Sequence, residues 1–257
     1  MKLFLKKIFL SPIGIILRNT LNFRPVDMVT QHIKNSSVSD AFAWRTDKGF
    51  KTIFKFSDLM KLYYKYENTI IEIEFYDKKN NFLKTIEVKN LKLSNKLVID
   101  KTFLNGIEDY GVFYVYHKTN KNIPYEDSIS NKCYLGYSLN KNLYSLVHGN
   151  SLSRYKSLNN NEYIKKYSPV KMSLRNNQIY KIQKLFKQYD KNELMFCNPT
   201  PSKIFFHLNN KKYILENGSS LIIECHNLET VTIISNCMFL RPTIFSYKKE
   251  YLDVHHS

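Results

Sequence analysis

The sequence contains little tryptophan and little arginine, and it has no long apolar run. Trp44 is the only tryptophan, and arginine supplies six of the 39 basic residues. Because guanidinium groups read base edges and phosphates better than lysine does, the net charge of +17 is weak support for specific nucleic-acid binding. No apolar run approaches the roughly 18 residues that a membrane-spanning helix needs. The lysine excess accompanies many Asn, Ile and Tyr residues, as AT-rich coding would produce, so we expect mostly solvated surface charge.

Several catalytic and nucleotide-binding motifs are also missing. The chain has no GxGxxG, GxxxxGK[ST], GxSxG or HExxH pattern. Its four cysteines, Cys133, Cys197, Cys225 and Cys237, form no CxxC pair. We expect them to be free thiols in a reducing, cytoplasmic compartment. These patterns leave any cofactor unknown.

Residues 1–24 are predicted to form an amphipathic helical segment. Lysines, Pro12 and Arg18 interrupt the apolar centre that a secretory signal would need. Two interpretations stay open. Residues 1–22 lie on an anionic membrane surface, which would make the protein peripheral on the inner membrane, or the helix packs on the body of the fold. Residues 32–39 follow as a polar connector.

The rest of the chain is predicted to be strand after strand. Apolar and polar residues alternate, and turn signals separate the runs, with hairpins over 69–88 and 202–216. The later strands and turns come in the same order in both halves. We therefore predict a mainly β protein with two tandem antiparallel β-sandwich-like domains, residues 40–150 and 170–257. Residues 150–168, with three consecutive Asn, are predicted to link them.

Trp44 and Arg45 form the first candidate site. An arginine beside an aromatic ring can bind a carboxylate, a phosphate or sugar hydroxyls, while the ring stacks on an apolar face. We assign both residues to substrate binding. The alternative is that Trp44 anchors the core while Arg45 pairs with Asp40 or Asp47.

His148, Gly149 and Asn150 end a strand at the predicted domain boundary. A histidine beside glycine suits an exposed catalytic or ligand-binding turn, and we assign His148 to catalysis and Asn150 to substrate binding. An ordinary strand end, in which Gly149 and Asn150 supply positive φ, is the alternative.

Asp253 and His255 near the C-terminus form the third candidate site. On an extended strand their side chains share one face, which suits a general base oriented by a carboxylate. We assign both to catalysis. A metal would need a third ligand such as His117 or His148, and we predict no metal site.

With these segments identified, the chain resembles uncharacterised proteins of bacterial surface-polysaccharide gene clusters. The strings that carry this resemblance are Ser39–Thr46, Ser145–Asn150 and Leu252–His256. The second half, residues 198–247, is similar in strand order to the β-sandwich of sensory-rhodopsin-transducer-like proteins. The first resemblance implies a role in cytoplasmic glycan assembly at the inner membrane.

Three functional hypotheses follow. The first is a membrane-surface protein that binds or modifies a glycan or nucleotide-sugar intermediate in a polar cleft between the halves. The second is a non-catalytic interaction module in which the same residues seal a domain interface. The third is a non-specific nucleic-acid binder with lysine-rich faces, which the low arginine content disfavours. The cleft residues of the first hypothesis are Trp44, Arg45, His148, Asn150, Asp253 and His255.

Overall fold

A computed structural model gives the fold, which is mainly β as predicted. Strands pack as several antiparallel sheets, and helices are few. The residues that the structure describes are 8, 11–20, 35–121, 123, 128–130, 133–140, 144–149, 152–157, 178–182, 186–200, 202–225, 230–237 and 240–256.

Nineteen strands and two α-helices lie in this described part. The helices are α1 (Pro12–Thr20) and α2 (Leu59–Tyr64). The strands are β1 (Ser36–Asp40), β2 (Phe42–Arg45), β3 (Phe50–Phe56), β4 (Ile70–Asp77), β5 (Phe82–Val88), β6 (Asn95–Ile99), β7 (Tyr110–Lys118), β8 (Ser128–Ser130), β9 (Tyr134–Leu139), β10 (Ser145–His148), β11 (Leu152–Ser157), β12 (Gln178–Ile182), β13 (Lys191–Cys197), β14 (Ile204–Leu208), β15 (Lys211–Leu215), β16 (Ser220–Cys225), β17 (Val231–Ser235), β18 (Thr243–Lys248) and β19 (Tyr251–His256).

The first sandwich consists of two four-stranded antiparallel sheets. Their strand orders are β2-β7-β4-β5 and β10-β9-β3-β6. The predicted hairpin over 69–88 is confirmed by the pairing of β4 with β5. Alternate residues of β4 enter the core, and the rings of Phe54 and Phe75 both contact Phe113 there, at centroid distances of 5.0 and 5.2 Å.

The second sandwich repeats the strand order of the first. Its sheets run β12-β17-β14-β15 and β16-β13-β18-β19. Each strand of β2-β7-β4-β5 therefore has its counterpart in β12-β17-β14-β15, and β6-β3-β9-β10 corresponds in the same way to β16-β13-β18-β19. The hairpin predicted over 202–216 is confirmed by the pairing of β14 with β15.

A third layer covers the outer face of the β2-β7-β4-β5 sheet. It is a three-stranded sheet, β11-β1-β8, in which β1 is antiparallel to β11 and parallel to β8. The predicted connector over 32–39 is wrong where β1 lies, and the predicted linker over 150–168 is wrong where β11 lies. Strand β1 is polar yet buried, because its hydroxyls replace missing backbone partners. The backbone N–H groups of Val115 and His117 donate to Ser39 Oγ and Ser37 Oγ, at 2.7 and 2.9 Å.

Helix α1 begins after Ser11, whose hydroxyl accepts a hydrogen bond from the backbone N–H of Gly14 at 3.1 Å. Its Ile13, Ile16 and Leu17 side chains are exposed. Most of the preceding residues, for which the amphipathic face was predicted, lie outside the described part of the chain. Among the described residues no helix has both the length and the apolar character needed to cross a membrane.

Candidate functional site

The β16-β13-β18-β19 sheet packs on the first sandwich along a seam to which both sheets of that sandwich contribute. The ring of Phe245 from β18 meets Phe50 and Tyr137 of the first sandwich edge-on, at centroid distances of 5.6 and 4.9 Å. Met195 and Val254 join the same hydrophobic cluster. This apolar cluster therefore extends across the seam, while the second sandwich keeps a separate core of its own.

Arg45 is buried inside this seam. Its guanidinium group makes a two-point contact with Asp47, with donor–acceptor distances of 2.8 and 2.9 Å. Another nitrogen donates to the Glu193 carboxylate at 2.6 Å, across the seam. The group also lies over the rings of Phe50 and Phe245, 4.1 and 4.7 Å from their centroids. Arg45 thus joins the two sandwiches by ionic and cation–π contacts.

Glu193 is ionised at this position. Burial by itself would raise its pKa, but the charge of Arg45 and hydrogen bonds from Tyr247, Arg45 and Lys191 lower the pKa to about 2. Tyr247 donates its hydroxyl to Glu193 at 2.6 Å, and burial raises the pKa of Tyr247 well above its usual value. The seam therefore holds a hydrogen-bonded carboxylate and a neutral phenol at neutral pH.

Trp44 anchors the core of the first sandwich. Its indole N–H donates to the backbone carbonyl of Tyr76 at 2.9 Å, and its side chain is fully buried. Gly111 lies opposite it on β7, where a Cβ atom would stand only 2.1 Å from the Tyr76 oxygen. The glycine is needed for this close approach. Trp44 and Arg45 take the places described by the alternative interpretation, with Asp47 as the arginine's partner.

His148 lies at the rim of the seam, where the edge strands β10 and β19 run side by side. Ser145 Oγ connects these strands by accepting a hydrogen bond from the Val254 backbone N–H at 2.8 Å. The rings of His148 and His256 then meet at a centroid distance of 3.9 Å and an angle of 62°. Burial and the neighbouring His148 lower the pKa of His256. No role was predicted for His256, which lies on the opposite face of β19 from His255.

Asp253 and His255 share one face of β19, which confirms the alternation argument. His255 Nε2 is 2.5 Å from an Asp253 oxygen, so this nitrogen is the donor to the carboxylate. Tyr189 donates its hydroxyl to the same oxygen at 2.6 Å, and this hydrogen bond, with burial, raises the pKa of Tyr189 to about 12. The Tyr251 ring, two residues before Asp253, is 64% exposed. We call Tyr189, Tyr251, Asp253 and His255 the rim site. Sequence alternation indicated Asp253 and His255, but no local signal pointed to Tyr189.

Of the six predicted site residues, the five that the structure describes do not converge on one open hollow. Trp44 and Arg45 are buried, whereas His148 and His255 are exposed. Asn150 lies outside the described residues. Within the described part of the chain, no group of three or more His, Cys, Asp or Glu residues could hold a metal ion. The four cysteines are thiols outside any disulfide, as expected.

A charged layer on the first sandwich was missed altogether. Lys156 of β11 forms ion pairs with Glu72 and, at 2.7 Å, with Glu74, both on the outer face of β4. Beside it the Arg154 guanidinium lies 3.9 Å from the centroid of Tyr114 on β7. These side chains join the third layer to the sheet below it.

Comparisons with family models, curated proteins and solved structures found no match for the chain.

Proposed function

We propose that the protein binds or modifies a glycan or nucleotide-sugar intermediate at the rim site. The observation that carries the proposal is the Tyr189–Asp253–His255 network, with an exposed aromatic ring beside it. Asp253 accepts from His255 Nε2, which leaves Nδ1 as the acceptor for a sugar hydroxyl. The exposed ring of Tyr251 can stack on the apolar face of a sugar. Asp253 is thus a positioning group, and His255 is the candidate general base.

The place of action in this proposal is the inner membrane, where cell-surface polysaccharide is assembled. The resemblance to proteins of surface-polysaccharide gene clusters supports it. So do the exposed Ile13, Ile16 and Leu17 of α1, because apolar side chains beside basic residues favour an anionic membrane surface. Flotation with anionic liposomes tests this part: deleting residues 1–20 should abolish flotation and leave the thermal unfolding temperature unchanged. Loss of fold stability in the deletion variant would instead mean that the segment packs on the protein.

Ligand binding is tested with a panel of UDP-, GDP- and CMP-linked sugars. Only seven histidines are present, so their ring signals can be followed one by one by NMR. A ligand should shift the His255 signal, and Asp253→Asn or Tyr251→Ala should weaken that response. Tyr134→Ala is the matched control, because Tyr134 is similarly exposed on the other sandwich. Shifts that are unchanged in Asp253→Asn and Tyr251→Ala would contradict the assignment.

A second candidate function is a non-catalytic interaction module. The observation that favours it is the burial of Trp44 and Arg45, which hold structure together instead of facing a cleft. If the protein binds none of the sugars but forms a stable complex with a partner protein, the result would support this candidate over the first.

A further inference from the structure

The second sandwich has an outer sheet face that corresponds to the covered face of the first. The sheet β12-β17-β14-β15 matches β2-β7-β4-β5 strand for strand. Its inner face packs in the core of the second sandwich, and its outer face points away from the seam. In the first sandwich the equivalent face lies beneath the β11-β1-β8 layer.

Large apolar side chains are exposed on this face. Phe205, Ile214 and Ile179 are 43, 55 and 65% exposed. Ile234 is half-buried and pairs with Ile179 on the neighbouring strand, while Phe205 pairs with Ile214. The four residues occupy neighbouring positions across all four strands. We call them the outer apolar patch, and contiguous exposed apolar residues of this kind mark interaction sites.

The charges within the four strands of the patch are basic, and Glu216, just beyond β15 on the same face, is paired with Lys203 at 3.0 Å. Lys181 and Lys212 are exposed on the same face, and His207 lies between Ile234 and Lys212 in the cross-strand register. Thr232 is the remaining outward residue of these four strands as the structure describes them, so none of their outward residues there is acidic. In the first sandwich the sheet carries the carboxylates of Glu72 and Glu74, and the covering layer supplies Lys156 to both of them. The second sandwich has the opposite charge arrangement.

We infer that the outer apolar patch binds an amphipathic segment of a partner protein whose carboxylates flank its apolar side chains. Carboxylates on the partner would pair with Lys181 and Lys212, as Glu72 pairs with Lys156 in the first sandwich. Apolar side chains of the partner would cover Phe205 and Ile214. A second copy of the chain is disfavoured, because its own patch would bring lysines against lysines.

Fluorescence anisotropy with the full-length chain tests this inference. The probe is a labelled peptide with leucines at helical spacing and flanking glutamates. The control peptide has lysine in place of every glutamate. The glutamate peptide should bind and the lysine peptide should not. Binding should weaken with added salt, because exposed charge pairs are screened. The double variant Phe205→Ser/Ile214→Ser should lose at least about tenfold in affinity, as loss of central apolar anchors does.

The control variant is Leu93→Ser, since Leu93 is equally exposed but lies on the first sandwich. It should bind the glutamate peptide as the parent protein does, and Lys181→Glu/Lys212→Glu should not bind it. Equal binding of the two peptides, or full affinity in the Phe205→Ser/Ile214→Ser variant, would overturn the inference. Two other results would also overturn the inference: flotation of the parent protein with anionic vesicles, or its self-association in sedimentation, if either is lost in the Phe205→Ser/Ile214→Ser variant. The rim site lies on another sheet, so sugar binding and peptide binding can fail separately.

Discussion

The ion pair between Arg45 and Glu193 offers the sharpest test of the seam. Both side chains are buried, at 0 and 3% exposure, and their atoms are 2.6 Å apart. Removing one partner of such a pair destabilises a protein by roughly 3–5 kcal/mol, because the other charge stays buried. In Arg45→Met, Glu193 keeps Lys191 at 3.1 Å, so we expect a loss near the lower limit, about 3 kcal/mol. The lowered pKa of Glu193 has the same direction, because Arg45 favours the charged form of the carboxylate against the effect of burial.

Chemical denaturation of four proteins measures the coupling: the parent, Arg45→Met, Glu193→Gln and the double variant. We expect the double variant to be about 2 kcal/mol more stable than the sum of the single effects predicts, because no unpaired charge is left in it. Additive single effects, within about 0.5 kcal/mol, would refute the assignment of this pair as a coupled contact.

The same pair predicts the acid limb of the stability profile. The folded-state pKa of Glu193 lies below its unfolded value, so its contribution is fully present above about pH 4.5. It is lost as the pH falls from there towards about 2. Unfolding free energies measured at pH 7 and pH 3.5 should therefore differ less in Glu193→Gln than in the parent. An equal difference in both proteins would contradict the low pKa of Glu193.

Three further predictions concern separate parts of the fold. The pKa of His256 is lowered by burial and by its histidine neighbour, so stability should fall as the pH drops below about 6.5, and His256→Gln should flatten this slope in pH-dependent thermal unfolding. Trp44→Phe should cost about 1–3 kcal/mol in urea unfolding, because it opens a cavity and removes the hydrogen bond to the Tyr76 carbonyl; a neutral effect would contradict this anchor. Lys156→Met should cost up to about 3 kcal/mol, because it leaves buried Glu72 with Lys118 but without Lys156, and Lys156→Arg should restore part of the loss.

The parts of the fold that the sequence predicted are those encoded locally. Alternation in residues 70–77 places Ile71, Ile73 and Phe75 in the core, and the same rule places Asp253 and His255 on one face of β19. Both patterns depend on neighbours in the chain, so they can be read without knowing the rest of the fold.

The parts that the sequence did not predict depend on distant partners. Strand β1 looks like a connector because its serines are polar, and only the N–H groups of β7 explain their burial. Glu193 lies 148 residues from Arg45, and His256 lies 108 residues from His148. Neither contact leaves a local pattern, because each arises only when the two sandwiches meet. The six site residues were predicted to share one cleft for the same reason. The burial of each side chain depends on the seam, and the seam is not visible in the sequence.

The apolar cluster that extends across the seam has a consequence for fragments of the chain. Splitting the chain between residues 157 and 178 would bare Phe50 and Tyr137 on one piece and Phe245 on the other. Each piece would also retain a charge from the Arg45–Glu193 pair on a newly wetted apolar face. Separately expressed halves should therefore be poorly soluble, and the two should regain solubility when they are produced together. The repeated strand order does not make the halves independent, and we expect them to unfold as one cooperative unit.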